Sequence, residues 1–286
     1  MATARGWGVV RALWGSTHPG PTVVVTVLTL ALGAAVGLEP WRIVVLTASV
    51  FAGQVSVGIS NDVIDAARDR AVGRTDKPIA RGDVSARTAW IAAWVTVAAA
   101  LALSAILSAA MLAAHAIGLA AAWAYNAGLK SSVFSPVPFV VFFGLLPSFA
   151  TLSAPDPAFA EPWAGVAGAV LGVAVHLTNV LPDLDDDART SVRGLPHRLG
   201  ARLSAVLAVL SLLVGAVVVL LGIADGDLAH IAPVTWVFFG ATAIVAVLTL
   251  VQALRRPPSR TLFRLVMLAG VLLAAQLVVS GGGLAA

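Results

Sequence analysis

Two stretches of the chain carry the same arrangement of oxygen-bearing side chains. The first reads Asn61-Asp62-Val63-Ile64-Asp65-Ala66-Ala67-Arg68-Asp69, the second Asn179-Val180-Leu181-Pro182-Asp183-Leu184-Asp185-Asp186-Asp187. Both contain N-x3-D-x3-D, at Asn61, Asp65 and Asp69 and again at Asn179, Asp183 and Asp187. On an α-helix, positions i, i+4 and i+8 drift by only about 40° per step, so each trio shares one face. Hard oxygen ligands suit Mg²⁺, with Mn²⁺ able to substitute; Mg²⁺ keeps several waters and completes its shell with phosphate oxygens. The chain has no cysteine, which excludes thiolate metal sites, disulfides and cysteine nucleophiles.

A lone acidic run after a helix is ordinarily a solvated loop, but here the pattern recurs, and each copy is followed by a basic stretch. These are Arg74-Thr75-Asp76-Lys77-Pro78 and Arg193-Gly194-Leu195-Pro196. Two facing clusters of carboxylates concentrate more negative charge than a membrane-edge cavity holds unpaired. Two Mg²⁺ ions would neutralise it and leave capacity for a polyanion. Arg68, Arg74, Lys77, Arg81, Lys130, Arg193 and Arg198 are the candidates to hold the remaining oxygens of that polyanion. Asn61, Asp62 and Asn179 complete the binding set. Lys77 and Lys130 stand out as the only lysines among 18 basic residues.

The elements that must position these groups are apolar. The chain is 59% hydrophobic and only 11% charged, against about 25% charged in an ordinary soluble domain. That balance excludes a soluble globular protein and a disordered one. Residues 89–128 carry no charge at all. A bilayer core takes about 20 apolar residues as a helix, and the runs do not alternate with period two, as barrel strands would. The expectation is an all-α polytopic membrane protein of nine transmembrane helices in a single bundle. The spans are placed at 21–38, 43–60, 88–107, 109–128, 137–152, 163–181, 203–223, 231–254 and 262–279. No charge, Gly or Pro marks the turn near Ser108. Length alone demands it, because 40 helical residues would reach about 60 Å, twice the hydrocarbon thickness.

With nine spans, every basic residue but Arg42 falls on the side that holds the N-terminus. The positive-inside rule makes that side cytoplasmic. The protein is therefore expected in the plasma membrane, multi-pass, N-terminus in and C-terminus out. The net charge of +4 and pI near 10.6 then reflect topology rather than nucleic-acid binding. No small-residue cleavage site follows the first apolar run, so no cleaved signal peptide is expected. Four spans separate the two acidic motifs, and an even number puts both on the cytoplasmic side. This describes one domain over residues 1–286 with parallel pseudo-repeat halves, about 20–135 and 136–286. A transporter would instead show acids at the bilayer midplane and an inverted repeat.

A diphosphate clamped by Mg²⁺ beside an apolar bundle points to an isoprenoid diphosphate donor. The metal stabilises the departing diphosphate oxygens while the allylic C–O bond breaks. A lipophilic or aromatic acceptor then captures the cation, water being excluded.

Here the residues resemble a known family, the UbiA superfamily of intramembrane prenyltransferases. The first motif, Asn-Asp-x2-Asp-x3-Asp, is followed by Lys77-Pro78-Ile79-Ala80-Arg81-Gly82, similar to that family's basic R-P-[LI]-x-x-G segment. Tyr125-Asn126-Ala127-Gly128-Leu129-Lys130 resembles its Tyr…Leu-Lys segment. Asp183-x3-Asp187 with Leu195-Pro196-x2-Leu199-Gly200 resembles its second acidic motif and tail. The resemblance implies two Mg²⁺, a prenyl diphosphate donor, a lateral opening to membrane lipids, and a catalytic set of Asp65, Asp183, Lys130 and Tyr125. Three positions depart from the pattern: Val180 replaces a further Asp, His18 precedes Pro19 where Arg is common, and Gly194 replaces Thr. A cyclase of the same superfamily, in which the cation attacks its own chain, is the alternative. His115 and His176 read as buried polar contacts between helices. His176 lies one turn deeper than Asn179, within reach of an acceptor. The Ala- and Arg-rich, Lys-poor composition suggests a GC-rich bacterial genome.

Overall fold

The computed structural model describes residues 2–184, 192–224, 227–255, 260–279 and 283–284; the side chains of 2–6, 183, 230 and 277 are outside the description. Among the described residues there are helices and turns and no strand. The elements are α1 (Ala2–Ser16), α2 (Pro19–Ala35), α3 (Pro40–Ala71), α4 (Pro78–Arg81), α5 (Ala86–Leu107), α6 (Ala109–Ala127) and α7 (Val137–Thr151). They continue with α8 (Pro162–Val180), α9 (Leu195–Leu199), α10 (Ala201–Ala224), α11 (Pro233–Arg255) and α12 (Arg260–Val279). Several begin on proline, whose missing N–H costs nothing in a first turn and whose fixed φ suits helix entry.

Each apolar segment expected from the sequence coincides with one helix. By length and composition α3, α5, α8, α10 and α11 are able to cross a membrane, and the bent pair Trp7–Ser16 plus Pro19–Ala35 passes as a sixth. Val137–Thr151 is shorter but apolar. Consecutive long helices pack side by side in chain order, and α12 packs back on α2, which closes the bundle into a ring. Its core is apolar, built on Leu46, Val50, Met111, Phe149, Leu177 and Leu212. One buried polar knot interrupts it between α3, α5 and α6. His115 Nδ1 lies 3.1 Å from Ser49 Oγ and 2.8 Å from Ser104 Oγ, the interhelical contact expected of that histidine.

The break at Ser108 has a local cause. Its backbone is extended, and its hydroxyl oxygen accepts the Met111 N–H at 2.9 Å, which caps α6. The same hydroxyl donates to the Leu152 carbonyl at 2.7 Å, tying the turn to the end of α7. A serine inside an uncharged run was thus the available signal for the turn.

Helix α1 was not foreseen. It meets α2 at 73° and exposes Trp7, Val10 and Trp14 at helical spacing, while its other face covers α3 and α4 through Ala12. The elbow between α1 and α2 turns on His18, which adopts the left-handed conformation (φ 54°, ψ 68°). Such a conformation is uncommon for a residue with a side chain, though histidine is among the more tolerant. The elbow sits directly on Gly58 of α3, where a β-carbon would overlap the Thr17 backbone.

Candidate active site

Helix α3 runs for 32 residues, longer than a bilayer needs, and its last turns carry the first motif as one continuous helix. Asn61, Asp65 and Asp69 stand on its cavity-facing side as the spacing predicts. Asn61 donates through Nδ2 to Asn126 Oδ1 at 3.1 Å, and Asn126 is itself fixed by donating to the Val57 carbonyl and Ser60 Oγ, both at 2.9 Å. Donation through its nitrogen leaves Asn61 its oxygen as the free end of the amide. Asn126, inside the Tyr125…Lys130 segment, thus positions Asn61, a part that its sequence context alone does not announce.

Asp65 is held by two cations. Lys130 Nζ donates to both carboxylate oxygens at 2.6 Å, and Arg68 donates to Oδ2 at 2.9 Å. Asp62 is different. One residue on from Asn61, it is rotated about 100° off the ligand face and lies 1% exposed behind the cavity wall. There it accepts from Lys77 Nζ at 2.6 Å and pairs with His18 Nε2 at 2.9 Å. Asp62 therefore orients Lys77 and His18, both of which line the cavity, and does not line it itself. His18, at a position where Arg is common, reaches Asp62 because the left-handed elbow aims its imidazole there.

The second motif is built differently. Helix α8 ends at Val180, and the chain tightens into a 3-10 turn over Leu181–Asp183. Pro182 has no N–H to give to the α-helical ladder and crowds the carbonyl four residues back. The helical-face argument therefore holds for the first trio, while in the second the regular α-helix extends only one residue past Asn179. Asn179 lines the cavity. Asp187, with 185–191, lies outside the described residues, as does the side chain of Asp183.

The cavity measures about 140 Å³ and gathers Asn61, Asp65, Asp69, Lys77, Tyr125, Lys130 and Asn179 from four separate parts of the chain. His18, Arg68, Arg74 and His197 line it too. Arg81, Arg193 and Arg198 are exposed and outside it; Arg81 donates to Asp83 and to the Thr75 carbonyl. Tyr125 packs edge-on against Phe139 and His176, with ring centres 5.2 and 5.8 Å apart. Behind it, Ser135 Oγ lies 3.0 Å from His176 Nε2 and accepts the Leu195 N–H at 3.0 Å. This hydroxyl joins the loop bearing Lys130, the helix bearing Asn179 and the segment after the second motif. Gly194 completes the junction, since a β-carbon there would overlap the Lys130 carbonyl. That accounts for glycine at a position where a larger residue was expected.

A groove of about 610 Å³ opens from the same place between α2 and α12; it shares His18, Arg74, Lys77 and Asn179 with the cavity at its polar end and becomes apolar towards Val24, Met267 and Val271. At its mouth Asp76 accepts two bonds from Arg74, at 2.8 and 2.9 Å, and one from Arg260 at 3.2 Å. The Arg74 hydrogen bonds hold the Asp76 carboxyl well below the usual carboxylate range.

The donor set fits a divalent cation. Its ligands are oxygens, and the two oxygens of Asp65 already embrace a cation in the Lys130 ammonium. Among the described residues no three imidazoles or carboxylates converge into a closed cage. Mg²⁺ does not ask for one, because it is usually held by one or two carboxylates plus waters and substrate phosphates.

The sequence model of the UbiA prenyltransferase family matches residues 22–279. No curated protein matches the chain in sequence. Among solved structures, a UbiA homolog from Aeropyrum pernix K1 is similar, with a TM-score of 0.74 and 20% identity over 90% of this chain and 97% of that one. A UbiA homolog from Archaeoglobus fulgidus, bound to GPP and Mg²⁺, gives 0.70 and 15% over 94% and 99%. A structure of digeranylgeranylglyceryl phosphate synthase gives 0.65 and 13% over 95% and 98%. At these identities the structural likeness speaks to the fold.

Proposed function

Because this chain belongs to the UbiA prenyltransferase family, we propose that it transfers a prenyl group from an isoprenoid diphosphate to a lipophilic or aromatic acceptor within the membrane, with Mg²⁺. The observation that carries this reading is a single cavity in which oxygen ligands of α3 face Asn179 of α8, ringed by cations and opening into an apolar groove. The solved homologues from Archaeoglobus fulgidus that hold GPP or DMAPP together with Mg²⁺ support it.

In this reading Asn61, Asp65 and Asp69 hold one metal ion and Asn179, Asp183 and Asp187 a second, Mn²⁺ being able to substitute. The bound metal neutralises charge on the departing diphosphate. Lys77, Lys130, Arg68 and Arg74 bind its remaining oxygens. Arg81, Arg193 and Arg198, being exposed, attract the polyanion rather than hold it. The C–O bond breaks with its electron pair on the diphosphate, the acceptor supplies the pair for the new bond, and the acceptor loses a proton. Tyr125 offers its ring to the developing cation, and the apolar groove keeps water from it. All nine apolar helices cross the membrane, both motifs face the cytoplasm, the N-terminus lies inside, and the two halves of one domain repeat in parallel.

Charge makes the metal indispensable. At separations of 4–6 Å and an effective dielectric near 20, each like-charge pair between carboxylate and diphosphate costs about 3–4 kcal/mol. Calorimetry with a non-hydrolysable prenyl thiodiphosphate tests this. Binding is expected with Mg²⁺ or Mn²⁺ and not in EDTA; tight binding in EDTA would overturn the metal-bridged reading.

A further inference from the structure

Helix α1 has two faces built for different neighbours. At helical spacing Trp7, Val10 and Trp14 fall within about 60° of one another, and Arg11 stands about 40° to the other side of Trp7. All four are exposed. The opposite face, with Val9, Ala12 and Leu13, joins an apolar cluster with Ile59, Val63 and Ala66 of α3 and Ile79 of α4. The helix contains arginine and no acidic residue.

The direction of the exposed face follows from its surroundings. α1 meets α2 at 73°, so a helix α2 that crosses the bilayer lays α1 close to the membrane plane. The side chains on its back belong to α4 and to the end of α3 that carries the first motif. On the exposed side, the Trp14 ring lies 6.3 Å from that of Phe51. Phe51 is itself exposed in the apolar run of α3, ten residues and about 15 Å before Asn61. The stripe is thus continuous with the lipid-facing surface of α3 and turns toward the hydrocarbon. A lipid surface fits such a helix. Apolar side chains meet the acyl boundary, indole rings suit the headgroup level, and a long arginine side chain reaches back to the phosphates. At its other end α1 runs straight into Thr17 and His18, the elbow that rests on Gly58 and aims His18 at Asp62. What holds α1 flat therefore holds the elbow.

Taking as premise that the motifs face the cytoplasm and that the cavity binds a prenyl diphosphate, we propose that α1 is seated in the cytoplasmic leaflet and braces the donor site from there. Trp7, Val10 and Trp14 point toward the acyl chains, and Arg11 lies on anionic headgroups.

The chain has no cysteine, so one introduced thiol reports one position. The full chain with Val10→Cys, carrying an environment-sensitive fluorophore, is placed in nanodiscs of phosphatidylcholine with or without phosphatidylglycerol. Val95→Cys, exposed in the middle of α5, is the reference for lipid. A quencher carried on the acyl chains is expected to reach both labels. Phosphatidylglycerol is expected to raise the seated-to-free ratio at Val10 about fivefold, and Arg11→Gln to abolish that gain. Trp7 lines neither the cavity nor the groove, yet Trp7→Ser is expected to weaken Mg²⁺-dependent binding of geranyl thiodiphosphate about fivefold in the same discs. A Val10 label reached by aqueous iodide and not by the lipid quencher would overturn the proposal. So would a label shielded from both, as by a second copy or another protein, a ratio that phosphatidylglycerol does not move or that Arg11→Gln leaves raised, or donor binding that Trp7→Ser leaves unchanged. With Val95 quenched from the lipid and donor bound by the wild type, each of these leaves the prenyl-transfer reading standing. A Val95 label beyond reach of the lipid quencher, or a wild type that binds no donor in Mg²⁺, would remove that reading and the brace with it.

Discussion

The Lys130 ammonium grips Asp65 by both carboxylate oxygens at 2.6 Å, across 65 residues of chain. The grip reaches from the short turn after α6 into the ligand face of α3, and Lys130 is only 11% exposed there. An ammonium in this position competes with a divalent ion for Asp65 and is also poised to accept a diphosphate oxygen once the ion arrives.

Lys130→Met should therefore move two measurements in opposite directions. Turnover is expected to fall about 100-fold, the usual loss when one preorganised donor to developing charge is removed. Apparent affinity for Mg²⁺, measured by titration without donor, should rise, because among the described residues Arg68 is then the one cation left on Asp65. If turnover falls and Mg²⁺ affinity falls with it, Lys130 shapes the site rather than competing in it.

Asp62 makes a separate prediction. It is buried behind the cavity with Lys77 at 2.6 Å and His18 at 2.9 Å. Deleting one member of a buried ion pair leaves the other uncompensated, at a cost of about 3–5 kcal/mol. Asp62→Ala should lower the thermal midpoint and raise the KM for donor, because Lys77 loses its anchor. Asp62→Asn, which keeps the shape and an acceptor, should fall between. A KM change with no loss of stability would mean that Asp62 touches substrate.

Much of this arrangement was legible because membranes impose it. Residues 89–128 had to turn once, since no single helix of that length fits a bilayer, and they do so at Ser108. The first motif was readable to the side chain because α3 is continuous through Ala71. In the second, Pro182 changes the helix type after Asn179, and the Asp183 side chain and Asp187 lie outside the described residues. The sequence also concealed which polar residues face inward. Asp62 and Asp65 have the same chemistry and similar spacing to their neighbours, yet one lines the cavity and the other braces it. That difference depends on where the α1–α2 elbow docks, and no local pattern announces a left-handed histidine.

The docking point itself is testable. A β-carbon on Gly58 would overlap the Thr17 backbone, whereas one on Gly240 would meet nothing within 4 Å. Backbone cannot rotate aside as a long side chain can, so Gly58→Ala must push the elbow off α3 and His18 away from Asp62. It should reduce donor affinity and cost about 1–3 kcal/mol of stability, the range for overpacking. Gly240→Ala, in the middle of α11, should be neutral or gain up to about 1 kcal/mol from helix propensity. Equal behaviour of the two variants would mean that the elbow does not rest on Gly58.

The Asp76 cluster predicts a pH dependence of definite sign. Its carboxyl is held below the ordinary range by hydrogen bonds from Arg74, with Arg260 of α12 as a further partner. A carboxylate depressed in the folded state binds fewer protons there than in the unfolded state, so its stabilisation is complete above the unfolded value of about 3.9. It is lost only as pH falls below that value through the folded one. The pair is partly exposed, with the Asp76 side chain 44% accessible, so its worth is no more than about 1 kcal/mol and shrinks with salt. The gap in thermal midpoint between wild type and Asp76→Asn should thus stay constant from pH 8 to pH 5 and narrow below about pH 4. Raising the ionic strength should narrow it at every pH. A gap that closes between pH 8 and pH 5 would show that a group of higher pKa, and not Asp76, ties the loop before α4 to the start of α12.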